Sequence, residues 1–181
     1  ELTEAGKNKV REREKQIRNY GIEKIYTSPY KRAYQTAQLL NKNINVEMKI
    51  IDDIRELNSH GIRSGVNKEL AEEIFSYVYK KQEYKNIGYY LGKTFLGGED
   101  IKEFDKRVKE AINFIIKDSK DLDKIAIVTH SGVHRSIFKN ILNINKKIEK
   151  IDDVATTILE YNNNKFELIE AKEILFGENI Q

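Results

Sequence analysis

Ile125-Ala126-Ile127-Val128-Thr129-His130-Ser131-Gly132 is the stretch on which the fold turns. Its first five residues form an unbroken apolar run rather than an alternation, which predicts a strand covered on both faces, as in a parallel sheet. Directly after it, Val133, Ile137 and Ile141 recur at helical spacing. A strand thus feeds straight into a helix, with His130 at the junction. The run is expected to be the most buried strand of the sheet.

The same alternation extends upstream. Ile101, Phe104, Val108, Ala111, Ile112 and Ile115 outline the strongest amphipathic helix, and Ile22 to Ser28 reads as a short strand. Tyr30, Ala33, Tyr34, Ala37 and Leu40 follow at helical spacing, and Val46, Met48 and Ile50 alternate as a second strand. Thr3 can cap a helix over 4–20 with Gly21 at its end; its thin stripe (Val10, Ile17, Tyr20) predicts a surface position. Residues 51–66 read as loop, and Leu70, Ile74, Tyr77 and Val78 mark a further helix. Ala155–Tyr161 and Phe166–Ile169 flank Asn162-Asn163-Asn164 as a closing hairpin. Strands alternating with helices predict an α/β fold: three layers, a mostly parallel central sheet, helices on both faces. With one proline (Pro29) and no Gly/Ser-rich linker, residues 1–181 read as one domain.

Composition excludes several functions. No apolar run approaches the roughly 18 residues of a membrane span. The sequence has no cysteine, so disulfides and thiolate-bound metals are excluded, and a reducing cytoplasmic home is expected. Its 32 Lys and Arg nearly balance 29 Asp and Glu, interleaved as in Arg11-Glu12-Arg13-Glu14-Lys15. Such a run is a solvated helix face, and no basic stripe is set among stacking aromatics, so nucleic acid is not an expected partner.

Chemistry has two places to sit, because ligands of such sheets bind beyond the carboxyl ends of the strands. At Thr27-Ser28-Pro29-Tyr30-Lys31-Arg32, Arg32 falls in a first helical turn, where a cation opposes the helix dipole. It is either an exposed arginine tolerated at small cost or one half of an anion site. At Val128-Thr129-His130-Ser131-Gly132, His130 is either a hydrogen-bonded structural histidine or a phosphate ligand. Zinc between His130 and His134 lacks a third ligand, so no metal is expected. Ser131 lacks the flanking glycines of a hydrolase nucleophile, with Thr129 and Val133 in those places. Gly97-Gly98-Glu99 is too short to cradle a phosphate and is expected to cap the helix that follows.

Five segments, in order, resemble the histidine phosphatase superfamily, the phosphoglycerate-mutase-like group. They are Leu2-Thr3-Glu4-Ala5-Gly6, Ser28-Pro29-Tyr30-Lys31-Arg32-Ala33-Tyr34-Gln35-Thr36-Ala37, Arg55-Glu56 with Gly61 and Gly65, Gly97-Gly98-Glu99, and Val128 to Gly132. The resemblance implies Arg32 as a phosphate clamp and His130 as the second phosphate-binding histidine. It implies that the Ser131 amide holds phosphoryl oxygens and that Glu56 is the general acid. It also implies a fold of the phosphoglycerate-mutase type and no cofactor.

The sequence departs from the family pattern in named places. Glu56 to Gly61 is one residue longer than the usual gap, Ser64 replaces an acid, and Asp100 stands where serine is usual. The family's nucleophilic histidine lies in an Arg-His-Gly strand ahead of the Leu-Thr helix, and Arg-His-Gly occurs nowhere in this sequence. The chain opens at Glu1 rather than Met. We therefore expect the domain to lack its first, central strand here and the nucleophile to lie upstream, so that residues 1–181 alone are inactive.

The expected function is a metal-independent phosphomonoester phosphatase working through a phosphohistidine on a small phosphorylated metabolite. A cofactor-dependent phosphoglycerate mutase and a catalytically silent phosphate- or phosphoprotein-binding module are the alternatives. Residues 66–96, rich in tyrosine and lysine, are expected either to cover the site and choose its substrate or to form a peripheral helix. The sequence leaves a homodimer open.

Overall fold

Three short parallel strands set the frame in the computed structural model, which describes residues 1–76 and 94–179. β1 (Lys24–Thr27) lies between β2 (Glu47–Ile50) and β3 (Ile125–Val128), with Tyr26 opposite both Lys49 and Ile127. Parallel neighbours need crossovers. α2 (Lys31–Ile44) makes the first, from β1 to β2, and α4 (Ile101–Asp118) leads into β3.

Side chains alternate across a strand, so each face of the sheet collects its own core. Tyr26, Ile125 and Ile127 pack with Phe104, Val108 and Ile112 of α4 and with Val133 of α5 (Ser131–Asn140). On the other face Val128 meets Val10 and Ile17 of α1 (Glu4–Ile17) and Leu40 of α2. The three layers expected from the alternation are present.

Burial corrects one expectation. β1, not β3, is the buried strand: Ile25, Tyr26 and Thr27 are fully enclosed, whereas all four residues of β3 are half-buried. β1 has a strand on either side. β3 pairs with β1 along one edge, and among the described residues no strand pairs with the other.

The predicted hairpin is there, but longer and separate. β4 (Lys146–Asn162) and β5 (Lys165–Asn179) form their own antiparallel sheet, turning through Asn163 and Asn164 at φ 52° and 63°. Asparagine tolerates that left-handed geometry, which a tight two-residue hairpin loop requires. Register shifts between Ile151 and Thr156 break the alternation that would have revealed the strand's full length. An apolar groove, lined by Ile112, Ile116, Ile125, Ile127, Leu159 and Phe166, separates β3 from this hairpin.

α1 begins as expected, with Thr3 Oγ1 accepting from the Gly6 amide (3.1 Å). It ends at Ile17 instead of 20, and Gly21 (φ 74°) serves the turn into β1 rather than the cap. Val10, Arg13, Glu14 and Ile17 are buried, because α1 is sandwiched between α2 and the hairpin, where Arg13 pairs with Glu173. α3 (Lys68–Ile74) is capped by Asn67, whose Oδ1 accepts from the Leu70 amide. Tyr77, Val78 and most of the 66–96 segment lie outside the described residues.

The Gly97-Gly98 turn does not cap α4. Asp100 does, its Oδ1 accepting from the Lys102 (2.8 Å) and Glu103 (3.2 Å) amides. The glycines instead close a backbone clasp on the 51–66 loop: Ile62 N–H donates to Leu96 O and Glu99 N–H to Asn58 O. A Cβ on Gly61 or Gly98 would overlap backbone atoms across that clasp. At the far end of α4, Asp118 accepts from Lys49 (2.6 Å), Tyr26 (2.7 Å) and Lys24 (3.2 Å), fastening the helix across β1 and β2. These bonds, Lys49's foremost, hold the Asp118 carboxyl well below the usual range, while burial pushes the Tyr26 hydroxyl up to about 12.

Candidate active site

β1 and β3 are neighbours in register, so the two polar junctions that follow them emerge side by side. The ladder continues one step past the strands, with Ser28 N–H donating to Val128 O (3.0 Å). That step brings Ser28 Oγ to 2.7 Å from Nε2 of His130, both side chains being buried. Tyr30 stands edge-on to the His130 ring, centroids 5.3 Å apart, and the Arg32 guanidinium lies over the same tyrosine at 5.4 Å. Arg32 and His130 are thus no further apart than the sum of those distances.

Burial and a neighbouring cation dominate the electrostatics of this junction. Burial pushes the His130 pKa down to about 4, with the positive charge of Arg32 the next cause and smaller effects from His134 and Arg107. A phosphate between Arg32 and His130 would oppose that effect of Arg32. Among the described residues the Arg32 guanidinium makes no hydrogen bond or ion pair, and its side chain is exposed. Neither α2 nor α5 carries an acid in its first turn or a side-chain cap from its own N-cap residue. Their dipoles favour an anion, and at α5 the carboxylate of Glu56 already takes the Gly132 amide.

Glu56 enters from the loop beyond β2. Its carboxylate accepts from the Gly132 amide (3.0 Å to Oε1, 3.4 Å to Oε2), from Ser131 Oγ (3.3 Å) and from the Leu57 amide (3.0 Å). The loop is tied to the end of β3 by Thr129 Oγ1, which donates to Ile54 O (2.7 Å). The sequence-predicted residues Glu56, His130 and Ser131 therefore meet at the start of α5, and Arg32 joins them through Tyr30.

Glu99, a second carboxylate nearby, is differently placed. Burial raises its pKa, but hydrogen bonds and charge from Arg107 outweigh that and leave it lowered. A carboxylate held ionised by a bidentate arginine is a poor proton donor. His134 lies one turn into α5, its amide bonded to His130 O (3.0 Å), and burial depresses its pKa too. His60 is exposed at the turn Gly61–Arg63. No three His, Cys, Asp or Glu side chains among the described residues cluster to hold a metal.

Sequence reasoning gave no role to Ser28, Thr129, Gly132 or Arg107. Ser28, Thr129 and Gly132 stood inside quoted motifs; for Ser28 and Thr129 a polar residue just past a strand end was the available signal. Arg107 carried none, being one charge among many on an amphipathic helix.

The family model of the histidine phosphatase superfamily (branch 1) matches residues 1–173. The chain belongs to that superfamily. Among curated relatives, "Phosphoglycerate mutase-like protein 4" of Arabidopsis thaliana is 28% identical over 160 residues, covering 87% of this chain and 67% of its own. Among solved structures, Bacillus stearothermophilus YhfR superposes with a TM-score of 0.76 at 20% identity, covering 93% of this chain and 82% of that one. A mycobacterial glucosyl-3-phosphoglycerate phosphatase in complex with VO3 superposes at 0.72 and 15% identity, covering 94% and 86%. At such identities the two structures establish a shared fold: this histidine phosphatase family member is α/β and phosphoglycerate-mutase-like. Among the described residues, no helix is long and apolar enough to cross a membrane.

Proposed function

We propose that this protein is a phosphomonoester phosphatase that works through a phosphohistidine and needs no metal. The observation that carries the reading is the meeting of His130, Ser131 and Glu56 at the start of α5, with Arg32 beside them. Phosphoryl transfer asks for positive charge around three oxygens and a proton for the leaving group. Arg32, His130 and the Ser131 amide supply the first. Glu56 supplies the second: as the P–O bond to the substrate breaks, its proton passes to the leaving oxygen. A water attacking the phosphohistidine then releases phosphate and returns a proton to Glu56.

The nucleophile of this scheme is the histidine of an Arg-His-Gly strand upstream of Glu1. The half-buried β3, its second edge and the apolar groove beside it suit such a strand, laid parallel to β3. Its carboxyl end would then open beside His130. The substrate is a small phosphorylated metabolite, with residues 66–96 as the segment that covers the site and selects it. A mutase sharing the same centre is the second reading, favoured by the name of the Arabidopsis relative.

The test is hydrolysis of p-nitrophenyl phosphate by the full-length protein in excess EDTA, with an acid-labile phosphoenzyme trapped on mixing. Activity lost to the chelator and restored by a divalent metal would refute the scheme. Phosphoryl exchange between phosphoglycerates at a rate far above hydrolysis would select the mutase.

A further inference from the structure

The loop that carries Glu56 is held by one half-buried arginine of α4. Arg107 is only 11% exposed, and its guanidinium is used on every side. Nε and Nη2 donate to the two oxygens of Glu99 (2.5 and 2.8 Å). Nη1 donates to the carbonyls of Asp53 (2.6 Å) and Arg55 (3.1 Å), and Nη2 reaches the carbonyl of Glu56 itself (3.5 Å). The Phe104 ring lies against it at 4.6 Å. Three backbone carbonyls within four residues, ending at Glu56, thus converge on one planar cation.

Such convergence has a geometric meaning. Peptide oxygens at 53, 55 and 56 fix the loop's path on its α4 side, and Thr129 fixes Ile54 O from β3. With the backbone pinned from both sides, the Glu56 side chain has a short, defined reach to the start of α5. Glu99 is the counter-charge that makes a half-buried guanidinium tolerable there, because removing one partner of a partly desolvated pair leaves the other uncompensated. Lysine cannot substitute, having no planar fork to serve carbonyls and a carboxylate together.

We infer that Arg107, ion-paired to Glu99, is the positioning residue that holds Glu56 at the leaving group. The inference rests on the reading of Glu56 as general acid, and deepens it. General acid catalysis by one side chain contributes about 10²–10⁴-fold. Misplacing that side chain should therefore cost much where the leaving oxygen needs a proton and little where it does not.

The experiment compares an alkyl phosphate with p-nitrophenyl phosphate in the full-length protein carrying Glu56→Gln, Arg107→Lys, or both. Arg107→Lys is expected to lower kcat on the alkyl phosphate by about 10–100-fold, against less than about 3-fold on p-nitrophenyl phosphate, with KM unchanged for both. In the double variant the arginine change should add nothing on the alkyl phosphate, since Glu56 is already gone. Should Arg107→Lys fold poorly, Glu99→Gln supplies the same comparison with the arginine's donors retained. Equal losses on both substrates, or full additivity with Glu56→Gln, would overturn the positioning role while the acid stands. A Glu56→Gln protein that itself shows no leaving-group dependence would overturn the acid and the positioning role with it.

Discussion

The Gly132 amide lies 3.0 Å from Oε1 of Glu56, and only a glycine permits that approach. A Cβ at 132 would overlap Oε1, while the Phe104 ring would stand at ordinary contact distance, 3.5 Å. The residue is needed for proximity and not for backbone freedom, as Gly132 is not among the glycines at positive φ. The carboxylate also sits at the positive end of α5, worth typically 0.3–1 kcal/mol.

Gly132→Ala should consequently separate stability from chemistry. Losing the carboxylate at the helix end costs about 1 kcal/mol, and replacing glycine by alanine within a helix returns about as much. The melting temperature is expected to move by no more than a few degrees. Turnover of alkyl phosphates by the full-length protein should nonetheless fall at least about 10-fold, because Glu56 is displaced. Unchanged turnover would detach Gly132 and Glu56 from catalysis.

Arg32→Ala should do the reverse of what a buried arginine does. Its guanidinium is exposed and, among the described residues, holds only the face of Tyr30, so stability should stay within about 0.5 kcal/mol of the parent. Charge-assisted hydrogen bonds to phosphate contribute about 1.5–3 kcal/mol, so inhibition by phosphate or vanadate should weaken roughly 10–100-fold. Titration calorimetry with phosphate checks this on the folded protein without an activity assay. An undiminished affinity would place the anion elsewhere.

The parts that were legible in the sequence obey local rules. The Ile125–Val128 run into Gly132 announced a strand and a helix start, and the Ile101–Ile115 stripe announced α4, because burial there follows a simple period. The relative depth of β1 and β3 was not legible. Depth depends on which strand acquires two neighbours, and no local pattern in Ile25-Tyr26-Thr27 states that. Arg32 and His130 were legible as a pair only through the adjacency of two parallel strands. Arg107 was illegible because its partners, the carbonyls of 53, 55 and 56, are the same in every sequence.

His130 sets a pH dependence whose sign follows from its burial. Its pKa falls from 6.5 to about 4 on folding, so between those values the unfolded chain binds more protons than the folded one. Stability then rises with pH across that window, is complete above about 6.5, and is lost as pH falls towards 4. His130→Asn should lessen the dependence of the melting temperature between pH 4 and 6.5, leaving the share of His134, whose pKa burial also depresses, and that of carboxylates such as Glu99 below it. Saturating phosphate should also flatten it in the parent, by countering the depressed pKa. A profile identical in parent and variant would mean that His130 keeps its proton in the folded state.

The second edge of β3 carries the last prediction. Backbone groups along Ile125–Val128 have no strand partner on that side among the described residues, and the groove beside them is apolar. Unpaired edges next to apolar surface invite non-native pairing. Residues 1–181 expressed alone should therefore bind a hydrophobic dye, aggregate on heating and show no phosphatase activity, since His60, His130 and His134 are the only histidines and none stands in an Arg-His-Gly strand. Restoring the upstream segment should abolish dye binding and give one cooperative transition. Burying even two further apolar side chains is worth about 3–6 kcal/mol before the cost of ordering the strand. At roughly 2–4 °C per kcal/mol for a domain of this size, a rise on the order of 10 °C is expected. If 1–181 melts cooperatively at the same temperature without binding dye, β3 needs no further strand, and the protein is a phosphate-binding module in its own right.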